Sequence, residues 1–205
     1  GISSFITQIA IVLVMTVTNN ILVSYGAQSK YGAEIPLTTI GITMKVNQIV
    51  SAVLLGLATG AQPIFGYNYG SGQKDRVKKA YRIIVTASTV MLILAFFVFQ
   101  FSPMSIVRLF GSESEMYNEF AVKCFRIFLL ACPINGLQMA TGIFFQAIGK
   151  PTQATVLSLS MQIVYLLPAT VLLPMALGVE GALWAGPLAD VLAFITTLAM
   201  LKLYW

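Results

Sequence analysis

Histidine is absent from this chain, and charge is scarce. Without histidine there is no imidazole base, no histidine metal ligand and no histidine-based nucleophilic triad. Charged residues make up 9% of the chain, against about 25% in a soluble domain. A surface so poor in charge cannot face water, so a soluble globule is excluded. There are two cysteines, Cys124 and Cys132, eight residues apart in one apolar segment. That spacing matches neither a CxxC motif nor a disulfide within one helix, and both are expected as small buried hydrophobes. No Gly-x-x-x-x-Gly-Lys-Ser/Thr run is present, so no phosphate-binding loop of that type is predicted. The catalytic inventory is nearly empty, and an enzyme is not expected. No metal site or cofactor is expected either.

What the chain does have is hydrophobic length. Apolar residues account for 58% of its 205 residues, and the mean hydropathy is +0.85. A membrane-spanning helix needs about 20 apolar residues. Six segments meet that requirement: 4–25, 36–65, 83–101, 120–148, 152–173 and 181–204. The predicted fold is therefore all-α, a polytopic bundle of six transmembrane helices whose first partner is the lipid bilayer. Residues 103–117 are too polar to span. Met104, Ile106, Val107, Leu109 and Phe110 alternate there with Arg and Glu, which predicts an amphipathic helix at the interface, ending at Gly111. No signal-peptide pattern precedes the first span. The chain opens without methionine directly on an apolar run, and a piece of a longer polypeptide is expected.

Orientation follows from the basic residues in the connections. The connection after the second span holds Lys74, Arg76, Lys78, Lys79 and Arg82 against Asp75. Lys150 and Lys202 fall on the same side, because spans alternate. The opposite side has Lys30 with Glu34, Arg108 and Lys123 with Glu113, Glu115 and Glu119, and Glu180 alone. The positive side is predicted cytoplasmic, with both termini there. The net charge of +5 reads as a topology signal, and no nucleic-acid partner is expected.

Few charges fall inside the spans. Lys45 and Asp190 each lie nine residues inward from the external end of a span, roughly 14 Å deep. Lys45 shares a face with Gly41, Gln48 and Ala52, and Asp190 with Ala182, Gly186 and Ala193. Small residues mark helix contacts, and a lone charge at this depth is costly. A Lys45–Asp190 ion pair is expected, serving either as structural glue or in transport.

Polar stripes run along four spans at helical spacing. The first span has Gln8, Thr16, Asn19 and Asn20. The second has Thr39, Thr43, Asn47 and Ser51, the fourth Asn135, Gln138 and Gln146, and the fifth Thr155, Ser158, Gln162 and Tyr165. Buried amides need partners, so each stripe meets either another helix or a wet cavity. Together with Met44, Met139 and Met161 they fit an uncharged, adaptable cavity wall for bulky organic compounds. Pro133, Pro168, Pro174 and Pro187 interrupt the last three spans, and bends are expected there.

The second span ends in Gly60-Ala-Gln-Pro-Ile-Phe-Gly-Tyr-Asn-Tyr-Gly-Ser-Gly72. Glycines stop a long helix sharply, aromatics suit the interface, and Asn68 can cap exposed backbone groups. The same residues can form a cytoplasmic hinge through Gly66, Tyr67, Asn68, Gly70 and Gly72. This run resembles the loop joining paired helices in the multidrug and toxic compound extrusion (MATE) transporters, with Gly60, Pro63, Gly66, Tyr67, Asn68, Tyr69, Gly70 and Gly72 in register. Asn19-Asn20 and Tyr25-Gly26, Leu109-Phe110-Gly111, and Phe145 to Lys150 resemble further parts of the family's second lobe.

The resemblance implies one six-helix lobe of a two-lobed bacterial transporter in the cytoplasmic (inner) membrane, with a missing N-terminal lobe as partner. It implies export of organic, cationic or amphipathic compounds by alternating access, in exchange for H+ or Na+. The cavity residues are then Thr16, Asn19, Asn20, Met44, Asn47, Asn135, Gln138, Met139 and Gln162, with Lys45 and Asp190 as coupling candidates. Other branches carry acids in the first and fourth spans of this lobe, where this chain has amides. A lipid-linked precursor flippase of the same superfamily, or a non-transporting scaffold from a split gene, are the alternatives.

Overall fold

The computed structural model describes residues 2–205, with Ser3 described by its backbone alone. Among the described residues there is no strand. Six helices are long and apolar enough to cross a membrane: Ser4–Ala27, Glu34–Gly70, Lys74–Phe101, Glu115–Ala147, Pro151–Leu177 and Val179–Tyr204.

The breaks within these rods fall near Gly60, Pro63, Pro133 and Pro168, whereas Pro174 and Pro187, expected to interrupt their spans, lie inside continuous helices. The first span is α1, Ile2–Ala27. The second consists of α2, Glu34–Gly60, and α3, Gln62–Gly70. They bend at Ala61, one residue after Gly60 and two before Pro63, which has no backbone N–H to continue the ladder. At 37 residues this rod is about 55 Å long. It overreaches a hydrocarbon core of about 30 Å, so α3 carries the chain out toward the interface. Gly72 then turns it. Its φ is +72°, Gly72 N–H donates to the Tyr69 carbonyl, and Gln73 N–H donates to the Asn68 carbonyl. This is the Schellman geometry that glycine favours. α4, Lys74–Phe101, returns across the membrane.

The interfacial helix ends at Gly111 as predicted, so it fills only the first part of the 103–117 segment. α5 covers only Pro103–Phe110 and stops at Gly111, whose φ is +101°. Residues 115–117 belong instead to α6, Glu115–Lys123, because Ser114 caps that helix by accepting the Tyr117 N–H at 3.1 Å. α6 opens the fourth span, which continues through a π-helical stretch and a 3-10 turn into α7, Asn135–Ala147. The fifth span is α8, Pro151–Leu159, a π-helical stretch Ser160–Leu166, and α9, Leu167–Leu177. Pro168 cannot donate to the carbonyl of residue 164 and its ring crowds it, so the widened π stretch just before it has a local cause. α10, Val179–Tyr204, closes the lobe.

Packing concentrates at the two ends. At one end Phe144 contacts Phe65, Tyr81, Tyr204 and Trp205, and Tyr81 and Thr141 share a 2.6 Å hydrogen bond. Lys78 lies 4.9 Å from the Trp205 ring and Lys150 lies 4.4 Å from the Tyr204 ring. At the other end Lys30 meets Glu119 at 3.0 Å and Lys123 meets Glu180 at 2.6 Å. Tyr31 bridges them, donating to Glu119 at 2.8 Å and accepting from Lys123 at 3.1 Å. The Glu119 carboxylate, hydrogen-bonded to Lys30, holds that amine above the ordinary lysine range. The five-cation connection thus shares an end with Lys150, while the acid-rich connections gather at the other.

Candidate functional site

The fourth span changes helix type around Pro133. The π-helical stretch Cys124–Phe128 gives way to the 3-10 turn Cys132–Ile134, and Asn135 becomes the first residue of α7. Facing this break, α10 buries Ala182, Ala185, Gly186, Ala189 and Ala193. The approach is close: a Cβ on Gly186 would lie 2.9 Å from both the ring and the carbonyl oxygen of Phe128. One turn further along α10 is Asp190, only 6% exposed. The Asn135 side chain and Cys132 both lie beside the Asp190 carboxyl. Asn135 Oδ1 is buried without a partner. The result is a buried carboxyl beside an amide, with no cation paired to it among the described residues.

The expected Lys45–Asp190 ion pair does not form. Lys45 is exposed on this lobe, and no ion pair includes it among the described residues. Equal depth in the bilayer places two charges at one height but leaves their azimuths free. α10 turns its small-residue face toward the broken fourth span, whereas α2 buries Thr39, Ile40 and Thr43 and leaves Lys45 outside. Asp190 finds an amide on the fourth span instead. Cys132 is buried and Gly186 sits in a close helix contact, both as the sequence predicts; the placement of Asn135 and Cys132 beside Asp190 has no signal in the sequence. No group of three or more His, Cys, Asp or Glu that could hold a metal occurs among the described residues.

A family model described as MatE matches residues 4–171. The chain belongs to the MATE family. Among curated relatives, a protein from Staphylococcus haemolyticus called multidrug export protein MepA is 24% identical over 196 residues. That match covers 95% of this chain and 41% of the relative. MepA from a Staphylococcus aureus strain is 23% identical over 204 residues, covering 100% of this chain and 43% of the relative. Among solved structures, the MATE multidrug transporter DinF-BH, solved as a complex with a ligand, is 31% identical, with a TM-score of 0.82, over 98% of this chain and 44% of that one. An outward-facing multidrug resistance MATE transporter of the MOP superfamily shares the fold with a TM-score of 0.88 at 18% identity, over 100% of this chain and 45% of that one. The chain spans less than half the length of the curated relatives it matches.

In this MATE chain the motif around Gly66 is mostly helix and not loop. Gly66, Tyr67, Asn68 and Gly70 all lie in α3; of the five hinge candidates only Gly72 is in the turn. The Asn68 amide donates to the Ile64 carbonyl at 2.8 Å, one turn back in its own helix, and so caps no free end. Tyr67 is exposed.

The cavity candidates divide. Thr16, Asn19 and Asn20 are exposed on α1, and the Thr16 hydroxyl donates to the Val12 carbonyl. Met44 and Asn47 on α2, Gln138 and Met139 on α7, and Gln162 in the fifth span are half-buried. Other stripe members turn inward. Thr39 and Thr43 are fully buried and donate to carbonyls of their own helix, and Tyr165 hydrogen-bonds Thr196. The stripes are therefore mixed: part bundle interior, part open polar surface.

Proposed function

We propose that this chain is one six-helix lobe of a bacterial MATE exporter, which works with a second six-helix lobe to move organic, cationic or amphipathic compounds out of the cell. One observation carries the reading. On a chain less than half the length of its relatives, Thr16, Asn19, Asn20, Lys45 and Gln48 are exposed within the first two spans. Polar and charged groups at membrane depth are costly against lipid, so this surface calls for protein or a wet cavity. A partner lobe facing α1 and α2 would supply both. The names of the multidrug export protein MepA and of the multidrug transporter DinF-BH support a cargo of organic compounds.

The energy source in this reading is an H+ or Na+ gradient. Asp190 and Asn135 are the candidate coupling groups in this lobe. An isolated ionised carboxylate at such a place is costly. A bound proton or sodium ion relieves that cost, and the unpartnered Asn135 Oδ1 offers a second oxygen. The protein would sit in the cytoplasmic membrane with both termini and the five-cation connection inside. The test uses the full-length protein in everted vesicles, with extrusion of a cationic dye as the readout. Asn20→Leu and Gln138→Leu are expected to reduce transport about tenfold at unchanged membrane level. Transport that falls only in step with membrane level would reassign both residues to helix packing and refute the cavity.

A further inference from the structure

The positive end of the lobe carries a groove that the transport reading does not use. It lies between α3 and α4 and has a volume of about 330 Å³. Ile64, Ala80, Ile83 and Ile84 line it together with Arg76 and Lys79. Ile64 and Ile83 are exposed, as are both cations. Neither cation has an acidic partner: the ion pairs among the described residues involve Lys30, Lys123, Glu119 and Glu180, all at the opposite end.

The groove also has the right height and outlook for a lipid. On α4, Ile83 begins an exposed apolar face that continues through Val90, Leu94, Phe97 and Phe101. These residues recur at helical spacing and form a lipid-facing stripe. Lys79 lies one turn before Ile83 and Arg76 about two turns before it, roughly 6 and 10 Å nearer the interface. The headgroup layer is about 5–8 Å thick on each side. Lys79 therefore stands within the headgroup layer and Arg76 just beyond it, where its long side chain can reach back to a phosphate, above an apolar floor that opens onto the acyl region. Anionic headgroups are what a basic pocket at this level recognises.

We propose that this groove binds a phospholipid of net negative charge from the leaflet that the basic connection faces, with its phosphate between Arg76 and Lys79 and an acyl chain along Ile64, Ile83 and Ile84. Lys74 and Lys78 belong to the same connection but do not line the groove, so they serve as an internal control. The experiment is native mass spectrometry of the full-length protein released from bilayers containing phosphatidylglycerol or phosphatidylcholine. The parent is expected to retain phosphatidylglycerol selectively. R76Q/K79Q is expected to weaken that retention about thirtyfold, roughly fivefold per cation, while K74Q/K78Q leaves it near the parent value. Ala80→Trp fills the groove without changing charge and is expected to lower retention to a similar degree. Equal loss in both glutamine pairs would mean diffuse attraction by the whole connection and would overturn the site. Undiminished retention in R76Q/K79Q or in Ala80→Trp, or no preference for the anionic lipid in the parent, would overturn it too, leaving the groove to the partner lobe. Lipid retention is read without transport, so this outcome is independent of the exporter assignment.

Discussion

Because no cation pairs with Asp190 among the described residues, replacing it with asparagine breaks no ion pair there. Asp190→Asn keeps the shape and the amide contact of Asn135 and removes only the titratable oxygen. In the full-length protein, under the proposed export function, it is expected to leave membrane level near normal while transport falls roughly tenfold or more, equivalent to about 1.4 kcal/mol or above on the barrier. Dye extrusion alongside immunoblotting checks this, and full transport in Asp190→Asn would remove the residue from coupling. Lys45→Met should act independently of it. In thermal unfolding, the double variant is expected to equal the sum of the two singles within about 0.5 kcal/mol. A double variant more stable than that sum would show that the charges meet after all. Tyr81→Phe is expected to lower stability by about 1 kcal/mol, since Tyr81 loses its hydrogen bond to Thr141 while Thr141 still donates to the Leu137 carbonyl.

Two glycine comparisons separate structural roles among the helices. Gly186 packs against Phe128 with no space for a Cβ, while nothing lies within 4 Å of a Cβ built at Gly142. Gly186→Ala is expected to destabilise the purified protein by about 1–3 kcal/mol through overpacking. Gly142→Ala should be neutral or raise the melting temperature, because alanine is the better helix former by about 1 kcal/mol. The second comparison is at the end of α3. Gly72 has a left-handed backbone, whereas Gly70 is helical with open space around it. Gly72→Ala is expected to lower the melting temperature, with a strain of about 1–2 kcal/mol, and Gly70→Ala to leave it unchanged or higher. Similar loss at both positions would restore the idea of an extended glycine hinge.

At the scale of the molecule, the two ends differ in how charge is held. One end joins Lys30, Tyr31, Glu119, Lys123 and Glu180 into a network across three connections. The other presents Lys74, Arg76, Lys78, Lys79 and Arg82 with only Asp75 among them. Such a bias favours the second end in the cytoplasm. Cysteines placed at Ser71 and Ser112, in a full-length protein lacking other thiols, are therefore expected to label from opposite sides of intact cells, Ser112 from outside. Labelling of both from outside would overturn the orientation.

Much of this architecture was legible in the residues. Twenty-odd apolar residues without charge can satisfy their backbone in lipid only as a helix, so composition and run length determine the six spans and the all-α class. The stop at Gly111 and the irregularity around Pro133 and Pro168 were legible for the same local reason: a missing Cβ or a missing N–H acts on its own turn. The helical nature of the segment around Gly66 was not, because glycine lowers helix propensity while the surrounding packing of Phe65 against Phe144 overrides it. Nor was the partner of Asp190. Depth along a helix can be counted from sequence, but the direction a side chain takes around the axis depends on which helix packs there. That was settled by Gly186 against Phe128 and by the changed helix type before Asn135, which together brought a carboxyl to an amide and left Lys45 facing outward.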